Sequence, residues 1–171
     1  MHKIKRPHIY LIILVASFIH LTVLNYIKIL GSVPDILLLF VVFFGLFLGP
    51  RMGFESGLAA GFLEDIFSVG TFWVNTIIFG AMGLLAGVTK MKFFKESKVT
   101  QALLVLTITI FAMSLRYMSA SLLMRPIKIS FFEYLFGSII PVSIYTCLVS
   151  IPIFSKFIGI YNLTEEDEDL L

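Results

Sequence analysis

The sequence has little of what most enzymatic and metal sites are built from. It contains one cysteine, Cys147, which excludes an intramolecular disulfide. Its three histidines, His2, His8 and His20, are scattered and form no cluster with the cysteine, so no zinc or iron–sulfur pattern is present. No glycine-rich phosphate-binding motif and no nucleophile–histidine pattern occurs either. We therefore expect no metal, no cofactor and no enzymatic activity.

Charge is also scarce. Charged residues make up 14% of the 171 residues, whereas soluble proteins contain about 25%. Hydrophobic residues make up 58%, and the mean hydropathy is +0.99. A soluble domain of this length could not bury so much apolar surface, whereas a bilayer acts as a solvent for it. The composition therefore predicts an integral membrane protein with almost no soluble mass.

Six apolar segments predict an all-α bundle of about six transmembrane helices, in a single domain over residues 1–163. The segments cover residues 8–30, 34–49, 52–68, 72–89, 99–124 and 131–155. The second and third are short, because a spanning helix needs about 20 residues. They either cross a thin bilayer or form a re-entrant pair that is buried in protein. Pro34 suits the first turn of the second helix, and Pro141 and Pro152 predict bends in the sixth.

Basic residues predict the orientation of the bundle, because cytoplasmic loops are enriched in lysine and arginine. With the N-terminus inside, nine basic residues lie on the cytoplasmic side and three lie outside. We expect a retained first helix rather than a cleaved signal peptide, six crossings, and both termini in the cytoplasm. The acidic tail at residues 164–171 is then a cytoplasmic segment without regular structure. The inside group is Lys3, Lys5, Arg6, Arg51, Lys90, Lys92, Lys95, Lys98 and Lys156, and the outside group is Lys28, Arg125 and Lys128.

Small residues recur at helical spacing in the second, third and fourth segments. A spacing of four keeps residues on one helix face, and a face of small residues lets another backbone approach closely. Two uses of these faces are open: packing inside one monomer, which is the commoner use, and contact with another subunit. Pro50 divides the first set between two helices. The first set is Gly45, Gly49, Gly53, Gly57 and Gly61, and the second is Thr76, Gly80, Gly83 and Gly87.

Three ionisable residues lie inside predicted helices, where a charge is costly unless it pairs or reaches water. Glu64 and Asp65 end the third segment, and Arg116 lies in the fifth. At ~1.5 Å per residue, Asp65 lies about 20 Å and Arg116 about 25 Å from the cytoplasmic start of its helix. Both residues are therefore in the outer half of the membrane at similar depth. One interpretation is a carboxylate–arginine pair inside the bundle. The other is that all three groups are hydrated near the outer interface.

The order of motifs in the middle of the chain resembles a known family. A proline opens the second segment, and a glycine-rich helix follows that ends in glycine, two hydrophobic residues, one further residue and aspartate. A short turn with glycine then leads to another helix with a glycine pattern. This order resembles the rod-shape-determining protein MreD family, and chain length and helix number agree with it. The matching residues are Pro34, Gly53, Gly57, Gly61, Asp65, Gly70, Gly80 and Gly87.

The resemblance implies a bacterial inner-membrane scaffold or regulator of the cell-elongation complex, which synthesises side-wall peptidoglycan and determines rod shape. It implies MreC as the most direct partner, with MreB, RodA and a class B penicillin-binding protein in the same complex. It implies contact with the lipid bilayer and no interaction with nucleic acid.

The same family is similar in fold to the substrate-binding subunits of energy-coupling-factor vitamin transporters, which gives the alternative function. Two departures count against it. The first helix carries only Ala16 where those subunits have an alanine-rich docking pattern, and the predicted external loops are too short to enclose a ligand.

Overall fold

A computed structural model describes residues 6–22, 32–67, 73–90, 98–123 and 129–161, and these parts of the chain are almost entirely helical. The elements are α1 (Arg6–Thr22), α2 (Ile36–Leu48), α3 (Pro50–Phe67), α4 (Val74–Lys90), α5 (Lys98–Leu123), α6 (Phe131–Tyr134), a π-helical turn (Leu135–Ile139) and α7 (Ile140–Tyr161). The last three of these elements are continuous and together form the long sixth helix.

Several helix ends differ from the predicted segments, and three of these differences involve a cap, a proline or several added residues. α2 begins at Ile36 because Asp35 is its N-cap, so Pro34 precedes the helix and is not in its first turn. α3 begins at Pro50, whose missing N–H costs nothing at a first helical position. The sixth helix continues to Tyr161, beyond the predicted residue 155. The acidic tail, the predicted end of the first segment and the basic connection at residues 91–97 lie outside the described residues.

Two of the described helices are long and apolar enough to cross a bilayer. They are Lys98–Leu122, with 25 residues, and Phe131–Ile160, with 30 residues. Three further helices are apolar but shorter: Arg6–His20, Ile36–Leu48 and Val74–Thr89. The 13 residues of α2 extend only about 20 Å, which is less than the ~30 Å hydrocarbon core of a bilayer.

α2 is the central helix of the bundle. Every residue from Leu37 to Phe47 is buried, so α2 is enclosed on all sides by the other helices. Its aromatic side chains pack against α7, with the Phe43 ring 5.0 Å from that of Phe154 and the Phe40 ring 5.3 Å from that of Phe157. Edge-to-face contacts of this kind add to the dispersion energy of the packed core.

A single residue joins α2 to α3. Gly49 has φ 96°, a conformation that side chains other than glycine rarely adopt, and its N–H donates to the Gly45 carbonyl. The Gly53 N–H in turn donates to the Gly49 carbonyl at 2.9 Å. The chain therefore reverses direction within one residue, and α2 and α3 are packed against each other from their first shared turn.

The sixth helix changes its hydrogen-bond pattern near its start. Pro141 has no backbone N–H, so it cannot make the bond that residue 141 would make to residue 137 in an α-helix. The π-helical turn at Leu135–Ile139 ends two residues before this proline. The second proline, Pro152, lies inside α7 and is exposed, so its missing bond faces outward.

Candidate functional site

Three charged side chains from three different helices meet at one end of the bundle. The Arg116 Nη1 lies 3.2 Å from Asp35 Oδ2, and its Nη2 lies 3.0 Å from Glu64 Oε2. The carboxylates are mostly buried, with side-chain exposures of 5% for Asp35 and 15% for Glu64, and that of Arg116 is 22%. We call these three residues the charge cluster. Arg116 suits this place because its planar fork of donors can serve two carboxylates at once.

The charge cluster connects two parts of the bundle. Arg116 comes from α5, Asp35 caps α2 and Glu64 comes from α3. The guanidinium also lies over the Phe79 ring of α4, with Cζ 4.7 Å from the ring centroid. This stacking adds a cation–π attraction in a place shielded from water. Arg116 therefore holds α5 against α2, α3 and α4 through one side chain.

Asp35 has a second role at the start of α2. Its Oδ1 accepts a hydrogen bond from the Leu38 N–H at 2.9 Å, which caps the helix, and its own N–H donates to Thr146 Oγ1 at 2.9 Å. The carboxylate thus binds the helix N-terminus with one oxygen and Arg116 with the other. Sequence reasoning missed Asp35 as a member of the charged site. The available signal was an aspartate directly before a long apolar run, which is typical of an N-cap.

Asp65 lies next to Glu64 in the chain but serves a different contact. Its carboxylate accepts from the Asn75 N–H at 3.1 Å, from the Thr76 N–H at 2.9 Å and from the Thr76 hydroxyl at 2.6 Å. These amides belong to the first turn of α4, where unpaired N–H groups and the helix dipole favour a negative charge. Neighbouring helix residues point about 100° apart, so the two carboxylates face different partners. Asp65 therefore caps the N-terminus of α4 from its position in α3.

The two sets of small residues at helical spacing, which we call the glycine stripes, lie inside the bundle where α2, α3 and α4 contact one another. A Cβ built on Gly57 would lie 2.6 Å from the Phe79 carbonyl carbon, and one on Gly45 would lie 2.6 Å from the Gly83 carbonyl oxygen. Real Cβ atoms do not approach backbone so closely, so these positions require glycine. A Cβ on Gly53, Gly61 or Gly87 would likewise meet backbone atoms of a neighbouring helix, whereas one on Gly80 would meet the Leu58 side chain. The stripes are thus used for packing within the chain, and Gly49 forms the turn.

A cavity of about 280 Å³ lies beside the charge cluster. Its lining includes Asp35 and Arg116 from the cluster, His20 from α1, Tyr134 from α6 and Ser138 from the π-helical turn. Two buried polar atoms in this lining, Arg116 Nε and His20 Nδ1, have no hydrogen-bond partner among the described residues. Buried polar groups are normally paired, and unpaired ones mark places where a water or a ligand belongs.

The carboxylates at this end of the bundle each contact a group on another helix. Asp35 and Glu64 are held by Arg116, and Asp65 is held by the start of α4. Among the described residues, no group of three or more histidine, cysteine, aspartate or glutamate side chains could hold a metal ion. Cys147 is a free thiol in α7 and does not line the cavity.

Comparison with known proteins gives one match. A family model described as rod shape-determining protein MreD matches residues 1–163 of the chain. No curated protein and no solved structure matches the chain.

Proposed function

The chain belongs to the rod shape-determining protein MreD family, and from this premise we propose that it is a non-enzymatic scaffold and regulator of the cell-elongation complex. The family accounts for a role in determining rod shape. The finer proposal is that the protein organises the membrane enzymes that synthesise side-wall peptidoglycan. The observation that carries it is the family match over nearly the whole chain.

The arrangement of ionisable groups supports a non-enzymatic role. General acid–base catalysis requires a side chain that is free to reach a substrate proton. Glu64 and Asp35 are both held by Arg116, while Asp65 accepts three hydrogen bonds at the start of α4. Each of these carboxylates is thus engaged in holding helices together. We propose that they shape the bundle and do not act on a substrate.

We propose that the protein lies in the bacterial cytoplasmic membrane as a six-pass protein with both termini in the cytoplasm. The distribution of nine basic residues against three supports this orientation. The charge cluster and the cavity then lie in the outer half of the bilayer, at the end where α1 and α5 finish and α2 and α4 begin. The short helix α2 does not conflict with six crossings, because its neighbours shield it from lipid.

We propose MreC as the direct partner, within a complex that also contains MreB, RodA and a class B penicillin-binding protein. A partner helix would have to use surfaces other than the glycine stripes, because those stripes contact one another inside the chain. The outward faces of α1 and α5 are apolar, with side chains such as Leu11, Phe18 and Phe111 exposed. Association in the membrane would then depend on the fit between such faces and on interhelical polar contacts.

Co-purification tests the partner directly. The full chain is co-expressed with a candidate MreC and, separately, with a candidate energy-coupling-factor transporter module. Each membrane fraction is then extracted in mild detergent, and the chain is purified. We expect stable recovery of MreC. Recovery of the transporter module with a bound vitamin and without MreC would instead support the transporter subunit and overturn the scaffold role.

Depletion in a rod-shaped host tests the cellular role. We expect the cells to become round, whereas a requirement for an added vitamin would support the transporter subunit. Complementation with Arg51→Gln, which alters only an exposed pair on α3, serves as the matched control for Arg116→Gln. Restored rods with Arg51→Gln and round cells with Arg116→Gln are the expected result.

A further inference from the structure

The cavity beside the charge cluster has polar groups that the scaffold role does not use. Ser32, Ser138 and Tyr134 line it, and none of their hydroxyls forms a hydrogen bond within the described part of the chain. A volume of about 280 Å³ would hold on the order of nine waters at ~30 Å³ each. This space exceeds what one or two structural waters fill and approaches the size of small-molecule sites. The cavity is therefore large and polar enough to be a binding site.

The charge of the surrounding groups indicates which ligand fits. One guanidinium faces two carboxylates, so the charge cluster carries a formal net charge of −1. The two carboxylates engage Arg116 Nη1 and Nη2, which leaves the unpaired Nε as a donor for a ligand oxygen. A wholly anionic ligand would also meet the Asp35 carboxylate in the cavity lining. A ligand with an ammonium group would instead supply the missing positive charge. Charges buried in a membrane protein are costly unless they are balanced in this way.

The hydroxyl groups extend the match to a second part of the ligand. Three hydroxyls in the lining can donate hydrogen bonds to an acceptor such as a phosphate oxygen. The cavity thus presents a carboxylate for a cation and donors for an oxygen-rich group within one space. This combination fits a zwitterion better than it fits a simple cation, an anion or an apolar chain.

We propose that this cavity binds a phosphoethanolamine group, with the ammonium at Asp35 and the phosphate oxygens at the hydroxyls of Ser32, Tyr134 and Ser138. The favoured source is the headgroup of a phospholipid. The π-helical turn that lines the cavity exposes Phe136, and the adjoining Phe132 is also exposed, with relative exposures of 67% and 69%. The helix that lines the cavity therefore also exposes apolar side chains that lipid can contact, so a phospholipid lies within reach of the cavity. A soluble phosphoethanolamine has the same headgroup chemistry and is separated from the lipid by experiment.

Native mass spectrometry of the full-length protein in mild detergent tests the proposal. The protein is titrated with phosphatidylethanolamine, with phosphatidylglycerol and with soluble O-phosphoethanolamine. We expect one phosphatidylethanolamine to bind at least about tenfold more tightly than phosphatidylglycerol, a difference of ~1.4 kcal/mol. Displacement of that lipid by O-phosphoethanolamine at similar concentration would support the headgroup site with a soluble ligand as its source. Equal binding of the two lipids, or no defined stoichiometry, would overturn the proposal.

Two glycines provide a matched pair of variants. Gly137 lies in the cavity lining and Gly159 near the far end of α7, and a Cβ on either would meet nothing within 4 Å. Gly137→Leu should reduce phosphatidylethanolamine affinity by about tenfold, while Gly159→Leu should leave it within about twofold. Asp35→Asn should remove the preference over phosphatidylglycerol. If that variant fails to fold, the glycine pair alone decides, and equal affinities for the two leucine variants would contradict the site.

Discussion

At the residue scale, the bundle depends on side chains that each serve more than one helix. Arg116 binds carboxylates from α2 and α3 and stacks on an aromatic ring of α4. Asp35 caps its own helix while it holds Arg116 and Thr146. Because each contact shares atoms with the next, the loss of one side chain leaves several groups unpaired. The free-energy cost is then larger than that of a single surface ion pair.

Removal of the shared arginine is the first prediction. Arg116→Gln leaves Asp35 and Glu64 buried without their counter-charge, so the free energy of unfolding should fall by ~3–5 kcal/mol. Thermal unfolding in detergent, monitored by fluorescence-detection size-exclusion chromatography, should show a large decrease in Tm. Arg51→Gln is the control, because Arg51 is 80% exposed and pairs with Glu55 at 3.4 Å on the same helix. That variant should cost at most ~1 kcal/mol, and equal shifts for the two would contradict the role of the charge cluster.

The cap of α4 gives the second prediction. Asp65→Ala leaves three donors without an acceptor, namely the Asn75 N–H, the Thr76 N–H and the Thr76 hydroxyl. Each unpaired buried donor costs about 1–3 kcal/mol. Hydrogen–deuterium exchange should therefore accelerate at the first turn of α4. Asp65→Asn keeps one acceptor oxygen and should have a smaller effect. Unchanged exchange in Asp65→Ala would show that the cap is not needed.

Sequence reasoning can place some members of the charged site and not others. Helix depth alone places Glu64 and Arg116 at the same level, because both lie far along helices that start at the same end. It cannot tell which of two adjacent carboxylates faces the arginine, since that depends on helix rotation. Asp35 joins the site because α2 is central, and no pattern within a single helix reports its neighbours.

At the scale of helices, backbone proximity replaces side-chain interlocking in the α2–α3–α4 unit. Gly45 approaches Gly83, while Gly57 approaches the backbone of Phe79. Lipid is as apolar as a leucine side chain, so helices in a membrane gain little from burying large apolar groups alone. Close backbone contact gives them dispersion energy that lipid cannot match. The glycine spacing therefore serves the packing of α2, α3 and α4 within this chain.

Alanine substitution of stripe glycines is the third prediction. Gly57→Ala places a methyl group against the Phe79 carbonyl, so the two helices must separate and the Tm should fall sharply. The matched control is Gly159→Ala in α7, where a Cβ has open space. Alanine has the better helix propensity by about 0.5–1 kcal/mol, so that variant should be neutral or slightly stabilising. If Gly57→Ala behaved like the control, close packing of α3 on α4 would be refuted.

The helices themselves are predictable from their apolar length, but their environments are not. A helix enclosed by protein and a helix facing lipid have equally apolar sequences, so the central position of α2 leaves no periodic signal. The π-helical turn is likewise absent from any propensity scale. Pro141 predicts a disturbance of the helix, but whether it produces a kink or a π-helical turn depends on the packing around it.

At the scale of the whole molecule, orientation is the fourth prediction. The distribution of basic residues predicts that both ends of the chain lie in the cytoplasm, which requires an even number of crossings. A reporter fused after Lys95 should be active in the cytoplasm, and one fused after Lys128 should be active in the periplasm. A fusion at Leu171 that is active in the periplasm would require an odd number of crossings. That result would contradict the six-pass arrangement.

The class of the molecule follows from composition, whereas the cavity does not. Apolar content and six segments predict a helical bundle, since few other structures satisfy backbone polar groups in lipid. The cavity forms where His20, the start of α2, Arg116 and the π-helical turn meet. These residues are far apart in the chain and none belongs to a recognisable motif. Only the three-dimensional arrangement brings them together.

The position of Arg116 late in the chain has a consequence for biogenesis. Synthesis proceeds from the N-terminus, so Asp35 and Glu64 enter the membrane before the residue that neutralises them has been made. An unfinished or truncated chain that ends before α5 therefore carries two carboxylates without a counter-ion. Such exposed intramembrane charges distinguish incomplete chains from complete ones. The cost of placing these two carboxylates in the membrane is therefore offset only when α5 has been made and Arg116 can pair with them.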